Sequence, residues 1–360
     1  MTTTTLKAPF PYFGGKRAAA PLIWDLLGDP GGYVEPFAGS AAVFLARPAF
    51  TGLRVETLND ADGWLANVWR SLQLAPEEVA MHCVGPVSEI DYHARLAWLQ
   101  SRRGDWIPSW LEGDPENYDA KAAAWWLYVV ACGIGDPFGK GPWVLHDGRL
   151  VDSRKLDVDP TAPGVIRNMP HLNHDRGILT HGINRGIPHL GNAGQGIASQ
   201  GLGGAPRGMV HLHEDRGYLT SDNLTNYFLR LSRRLERVRI TCGDWKRVVT
   251  PAVGFATRSN PRVGFLLDPP YETSGDLYHH GDTDGALSAE VREWCVNQEH
   301  NPDVRIVLCG YLDEHDELLD HGWTKHTSRA GGSGYGKGTA TDKERLWSSP
   351  SCQQSQGTLL

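Results

Sequence analysis

The sequence predicts an α/β fold in which a mostly parallel sheet is flanked by helices. Apolar runs of strand length occur at 33–35, 55–58 and 263–267, and the first two are each followed by a helical pattern. Each run ends at small, proline or acidic residues. Ligands of such sheets collect beyond the carboxyl ends of the strands, so we expect the functional residues there.

The composition is that of an ordinary globular chain. Its 360 residues are 40% hydrophobic and 21% charged, enough for one large domain or two modest ones. We see no charged-then-apolar leader and no apolar run of bilayer length, so we expect a cytoplasmic protein without a membrane segment. The cysteines show no paired spacing and indicate neither a disulfide framework nor a zinc site: Cys83, Cys132, Cys242, Cys295, Cys309 and Cys352.

Positive charge is concentrated in one part of a chain whose net charge is -7. Residues 167–240 contain ten arginines, no lysine and five acidic residues. A basic island in an acidic protein is typical of a local phosphate-binding surface. A solvated helix face explains the cluster from Arg230 to Arg239 equally well.

The first strand-to-helix turn is the most informative stretch of the amino-terminal half. Tyr33-Val34-Glu35-Pro36-Phe37-Ala38-Gly39-Ser40 leads from a strand into a helix that begins near Ala41. Gly39 and Ser40 lie where the backbone would contact a ligand, although the turn lacks the dinucleotide glycine pattern. The next strand ends at Asp60, which could bind ribose hydroxyls or cap the helix that follows.

Two further stretches carry chemistry. Pro9-Phe10-Pro11-Tyr12-Phe13-Gly14-Gly15-Lys16 is a glycine-containing loop before a helix, where Lys16 could meet a carboxylate, or the loop could be only a structural turn. Asp268-Pro269-Pro270-Tyr271 follows the strand 263–267. The prolines leave nearby carbonyls free to accept hydrogen bonds, and Tyr271 adds a flat face. Together these groups could hold an exocyclic amine of a planar base; a structural Pro-Pro turn is the alternative.

The order of these stretches resembles the Dam-type (alpha-group) family of adenine-N6 DNA methyltransferases. The resemblance covers the chain up to about Leu74 and again from Ile240 onward. It implies a Rossmann-like S-adenosylmethionine methyltransferase sheet with an inserted target-recognition region, S-adenosylmethionine as cofactor and double-stranded DNA as partner. It also implies a catalytic loop of Asp268, Pro269, Pro270 and Tyr271.

The resemblance further implies a cofactor site. Tyr12 and Lys16 would bind the methionine end, Asp60 the ribose, and Asp244 with Trp245 the adenine, although a helix cap is an equal alternative for Asp244. The full set of expected cofactor-binding residues is Tyr12, Lys16, Glu35, Pro36, Phe37, Gly39, Ser40, Asp60, Asp244, Trp245 and Asp268.

The middle of the chain departs from the family. Glycine-rich residues replace the expected polar consensus at Gly133 to Pro142, which leaves the DNA sequence preference open. An insert at 151–221 then repeats His171 to Thr180 as His211 to Thr220. We interpret it as a DNA-binding insert that uses Arg176, Arg185, Arg207 and Arg216; a mobile loop or an oligomer contact is the alternative. His171 and His174 lack further ligands in register, so no metal is expected.

The sequence therefore predicts four parts: a cofactor half at 8–150, the insert at 151–221, a catalytic half at 222–347 and a disordered tail at 348–360. The predicted reaction is methylation of the N6 amine of adenine in DNA by a monomer or homodimer. Cytosine N4 in DNA, adenine in RNA, a small-molecule substrate and a non-catalytic DNA-binding module remain as alternatives. The setting, whether restriction–modification, phage or regulatory, is left open.

Overall fold

A computed structural model describes most of the two predicted halves. The described residues are 6–10, 12, 15–48, 52–84, 89–102, 106–132, 138, 143–146, 149–152, 221–250, 260–270, 285–327 and 344–353. Tyr271, the glycine-rich stretch except Phe138, and the insert from 153 to 220 lie outside these residues. The insert's repeats, its four arginines and the pair His171 and His174 therefore remain sequence predictions.

A seven-stranded sheet forms the centre of the molecule, in the order β5-β2-β1-β6-β7-β9-β8. The first five of these strands run parallel, and β9 is antiparallel to both of its neighbours. A separate hairpin joins β3 to β4. The strands are β1 Gly32–Glu35, β2 Val55–Asp60, β3 Trp143–His146, β4 Arg149–Asp152, β5 Val238–Cys242, β6 Val263–Leu267, β7 Val304–Tyr311, β8 Thr324–Thr327 and β9 Glu344–Ser348.

Helices connect and cover these strands. They are α1 Ala20–Leu27, α2 Ala42–Leu45, α3 Gly63–Leu74, α4 Pro76–Cys83, α5 Glu89–Gln100, α6 Trp106–Gly113, α7 Ala120–Cys132, α8 Ser221–Leu235 and α9 Ala286–Asn297, with 3-10 turns at Trp245–Arg247 and Asp316–His321. The predicted α/β class is confirmed. The hydrophobic patterns also located β1, β2, β6 and the helices after β1 and β2, whereas α4, α5, α6 and the β3–β4 hairpin were not anticipated.

Each face of the sheet packs against its own hydrophobic core because side chains alternate along a strand. Tyr33 and Leu266 face the cluster that includes α1, α3, α7 and α8. Val34 and Leu267, their neighbours in the chain, face the cluster that includes α9 and Trp323. The central strands are therefore buried on both sides, which explains why they appear in the sequence as continuous apolar runs.

The carboxyl-terminal segment corrects one prediction. Residues 348–353 were expected to be part of a disordered tail, but Ser348 is the last residue of β9 and is buried. The backbone continues into the fold, since Ser349 N–H donates to the Ile306 carbonyl and Gln353 N–H donates to the Leu26 carbonyl, 2.8 Å away. The prediction failed because this segment is held by backbone hydrogen bonds, which its polar composition does not reveal.

No helix within the described residues is long and apolar enough to cross a membrane.

Candidate active site

The order of the strands reverses between β1 and β6. From β1 the chain passes to β2 and β5 on one side, whereas β6 and β7 lie on the other side. Glu35, Asp60 and Asp268 stand at or just beyond the carboxyl ends of β1, β2 and β6, and Asp244 follows β5. Such a reversal opens a crevice where open α/β sheets bind ligands. The sheet thus brings the predicted site residues to one edge.

The turn after β1 has a backbone conformation that suits glycine. Gly39 has φ +47°, and a β-carbon at this position would lie 2.5 Å from Cε1 of Tyr12. Its N–H donates to Oδ2 of Asp60 at 2.8 Å, and its carbonyl accepts from the Trp69 indole at 2.9 Å. The predicted residues Tyr12, Gly39 and Asp60 are therefore neighbours, and the turn has no room for a larger residue at 39.

The carboxyl group of Asp60 closes this turn and does not cap α3. Its Oδ1 accepts from the N–H of Asp62 at 2.9 Å, and Asp62 is the residue whose side chain caps the helix. Burial and the nearby Asp62 charge raise the pKa of Asp60 to about 7. Each carboxyl oxygen has a second lone pair, so Asp60 can also accept a hydrogen bond from a ligand hydroxyl.

Asn59 ties together the turns after β1, β2 and β5. Its amide nitrogen donates to the Pro36 carbonyl at 3.0 Å and to the Gly243 carbonyl at 2.9 Å, while its Oδ1 accepts from Thr241 at 2.9 Å. The side chain is buried. Asn59 therefore holds the two turns that lead to Phe37 and Asp244, although the sequence analysis gave it no role.

Glu35 is buried beneath the crevice, with 2% of its surface exposed. Its Oε1 accepts from the Tyr33 hydroxyl and from the Phe44 N–H, each at 2.7 Å. Burial raises the pKa of Glu35 to about 8, although both hydrogen bonds lower it. These contacts give Glu35 a structural role in holding α2 against β1. A direct contact with a cofactor stays a prediction.

Aromatic side chains and a carboxylate meet beyond β1 and β5. The ring of Phe37 lies 6.0 Å from the ring of Trp245, which in turn packs edge-on against Trp294. Trp245 is 5% exposed, and its indole N–H has no hydrogen-bond partner among the described residues. Asp244 is exposed and caps the following 3-10 turn by accepting from Lys246 N–H at 2.7 Å. The cap predicted as one alternative for Asp244 is thus present.

Lys16 lies between two carboxylates. Its Nζ is 3.0 Å from Oδ2 of Asp268 and 3.6 Å from Oε1 of Glu344, and its side chain is only 4% exposed. The Asp268 side chain is 22% exposed and remains accessible from the crevice. The carboxylate that Lys16 meets in the structure is therefore that of Asp268, and a contact with the cofactor stays a prediction.

Three further predicted residues, Ser40, Pro269 and Pro270, lie in the described part of the chain, whereas Tyr271 does not. Ser40 and Pro269 are buried and Pro270 is half-buried, and their parts in the site stay predictions. Glu344 and Cys309, which had no predicted role, border Asp268. The pairing of β6, β7 and β9 places their side chains beside Asp268.

One comparison with known protein families found a match. Residues 12–83 match the model of D12 class N6 adenine-specific DNA methyltransferases. This match supports an adenine-N6 DNA methyltransferase. A search of curated proteins found no match. The matched segment contains Tyr12, Lys16, Asn59 and Asp60, so the geometry above includes the part of the chain on which the assignment rests.

An adenine-N6 DNA methyltransferase acts on DNA, and its family takes the methyl group from S-adenosylmethionine. The described residues provide groups that suit this cofactor. Phe37 offers a flat apolar surface, Asp244 and Asp60 offer acceptors for an amine and for hydroxyls, and the Gly39 turn lets the Tyr12 ring pack closely against it.

Proposed function

We propose that the enzyme methylates the N6 amine of an adenine that has been flipped out of double-stranded DNA, and that the loop after β6 is its catalytic centre. The pairing of Asp268 with Lys16 carries the proposal. It keeps a carboxylate at the strand reversal, beside the predicted cofactor turn and partly open to the crevice. A base inside the duplex cannot reach such a crevice, so extrusion has to precede the reaction.

In this proposal one group of residues binds the cofactor and another binds the target base. Tyr12, the Gly39 turn and Asp60 hold the methionine end and the ribose, while Phe37, Asp244 and Trp245 hold the adenine of the cofactor. S-adenosylmethionine supplies an electrophilic methyl group on a sulfonium. Asp268 and the Pro269 carbonyl accept hydrogen bonds from the target amine, and Tyr271 stacks on the target base.

Hydrogen bonding to Asp268 and Pro269 draws the amine lone pair out of conjugation and aims it at the methyl carbon. The new N–C bond forms as the S–C bond breaks, and the amine then loses a proton to the solvent or to a nearby carboxylate. This reaction needs no strong base, because positioning and electrostatics supply most of the rate. The buried Lys16 holds the Asp268 carboxylate in place, since its Nζ lies 3.0 Å from Oδ2 of Asp268.

The proposal is tested by incubating the purified protein with methyl-labelled S-adenosylmethionine and mixed-sequence duplex DNA, followed by nucleoside analysis. We expect label in N6-methyladenine, and sequencing of the modified sites then identifies the target sequence. Label in N4-methylcytosine would overturn the choice of base. Label that enters only RNA would overturn the choice of nucleic acid, and cofactor binding without any transfer would favour a non-catalytic DNA-binding module.

A further inference from the structure

Glu344 is the least expected member of the group around Asp268. It is the first residue of β9 and lies opposite Tyr311 in the antiparallel pairing with β7. β7 in turn pairs with β6, which ends just before Asp268. Leu267 pairs with Leu308, so Asp268 lies level with Cys309, and the pair of Tyr311 and Glu344 lies two residues further along β7 at the same edge of the sheet.

Two carboxylates at this edge share one ammonium among the residues that the structure describes. One ammonium, that of Lys16, faces the carboxylates of Asp268 and Glu344 at 3.0 and 3.6 Å. The Glu344 side chain is 16% exposed, so water screens this interaction only in part. An ammonium that pairs with one carboxylate alone neutralises it and weakens it as an acceptor for other donors. A second carboxylate beside the same ammonium reduces this neutralisation, so the first carboxylate accepts hydrogen bonds from other donors more strongly.

We propose that Glu344 is a positioning residue for methyl transfer: by sharing Lys16 with Asp268, it keeps the Asp268 carboxylate strong enough as an acceptor to bind the target amine. Glu344 acts through Lys16 and does not itself touch the base. The inference rests on the proposed function, because it assigns to Glu344 a part in the chemistry of Asp268. It also explains why a glutamate occupies a largely buried position in the last strand of the sheet.

The proposal predicts that the rate of methyl transfer falls on the acid side of its pH profile, which we call the acid limb. Burial raises the pKa of Glu344 above its ordinary value, although Lys16 opposes this shift. When Glu344 takes up a proton as the pH falls, Lys16 pairs with Asp268 alone and transfer slows. Within the described residues, the charged and titratable groups around Glu344 are Lys16, Asp268, Cys309, Tyr311, Glu314 beyond Tyr311, and Arg345, whose guanidinium donates to the Glu344 carbonyl at 2.8 Å.

The test compares Glu344→Gln with wild type in single-turnover methylation of duplex DNA from pH 5.5 to 8.5. We expect Glu344→Gln to slow transfer about tenfold at high pH and to flatten the acid limb, while cofactor affinity stays within about threefold. Glu344→Asp retains the charge and should recover part of the rate. Glu78→Gln, which removes a carboxylate from the surface of α4, should match wild type at every pH. A wild-type rate and pH profile in Glu344→Gln would overturn the proposal.

A thermal double-mutant cycle tests the shared ammonium without using activity. The melting temperatures of Lys16→Met, Glu344→Gln and the double variant are compared with that of the wild type. Sharing predicts that the shift of the double variant differs from the sum of the single shifts by about 2 °C or more. Additive shifts would show that Glu344 does not act through Lys16. If the cycle shows coupling but the wild type methylates no DNA, the proposed function fails and the charge sharing stands.

Discussion

The amide nitrogen of Asn59 lies 2.9 Å from the carbonyl oxygen of Gly243, a residue 184 positions later in the chain. The same nitrogen reaches the Pro36 carbonyl at 3.0 Å, so one side chain fixes the spacing of the turns on either side of β2. Phe37 and Asp244, which follow these carbonyls, are the residues that we assign to the cofactor's adenine. The geometry of that part of the site therefore depends on a residue that need not touch the ligand.

We expect Asn59→Ala to lower the free energy of unfolding by about 2–4 kcal/mol, because it leaves buried carbonyls without a donor. Cofactor affinity should fall as well, since the turns after β1 and β5 lose their common tie. Denaturant unfolding and calorimetric titration with S-adenosylmethionine measure the two effects. Asn297→Ala, at an exposed position in α9, is the matched control and should change neither. Unaltered affinity in Asn59→Ala would show that the turns keep their spacing without this amide.

Gly39→Ala should abolish cofactor binding. The substitution combines a left-handed backbone with a β-carbon 2.5 Å from the Tyr12 ring. Gly52→Ala separates the two effects, because Gly52 has φ +80° but a β-carbon there would, among the described residues, meet only the Arg54 side chain, 3.6 Å away. The control should cost about 1 kcal/mol of stability and leave cofactor affinity unchanged. Equal affinity losses in both variants would attribute the effect to backbone strain and not to the Tyr12 contact.

Asp268→Ala should retain the fold and most cofactor affinity but lower the rate of methyl transfer by at least about a hundredfold, since an acceptor for the target amine is lost. Single-turnover methylation, cofactor titration and melting temperature together separate these quantities. The exposed Asp320→Ala is the matched control, with no expected change in rate. Normal methylation by Asp268→Ala would remove the loop after β6 from the catalytic centre.

We expect the free energy of unfolding of Glu35→Gln to fall less at alkaline pH than that of the wild type. The pKa of Glu35 is about 8 in the folded protein and near 4.5 in an unfolded chain, so the folded state alone keeps the proton between these values. The free energy of unfolding of the wild type therefore falls as the pH rises through this window, by at most about 1.4 kcal/mol per pH unit. Glutamine cannot ionise but can still accept from Tyr33 and Phe44.

Denaturant unfolding at pH 5.5 and pH 8.5 measures this difference. The stability of Glu35→Gln relative to wild type should increase with pH, and the titration of Asp60, common to both proteins, cancels in the comparison. Glu78→Gln should keep the wild-type dependence on pH, because its carboxylate is half-exposed on α4. A constant difference between Glu35→Gln and wild type would mean that Glu35 is ionised throughout this range.

Local patterns were sufficient to predict the central strands. β1 and β6 are buried on both faces, so their residues are apolar in succession and do not alternate with polar ones. Each run ends where the backbone turns. The placement of Gly39, Asp60 and Asp268 at the edge of the sheet followed from the ends of the strands, whereas Tyr12 was named only through the family resemblance. The resemblance to adenine-N6 DNA methyltransferases used the same residues and is supported by the family match at 12–83.

The sequence by itself determined the α/β class, the order of the chemical stretches and the family resemblance, because these depend on residue type and on spacing along the chain. Only the tertiary structure decided that Lys16 faces Asp268, that Glu344 shares this ammonium, and that Asn59 joins Pro36 to Gly243. These contacts join residues far apart in the chain, and parallel and antiparallel pairing bring them together. No local pattern encodes such distances, because they depend on the register between strands, which cannot be read from the sequence of one segment.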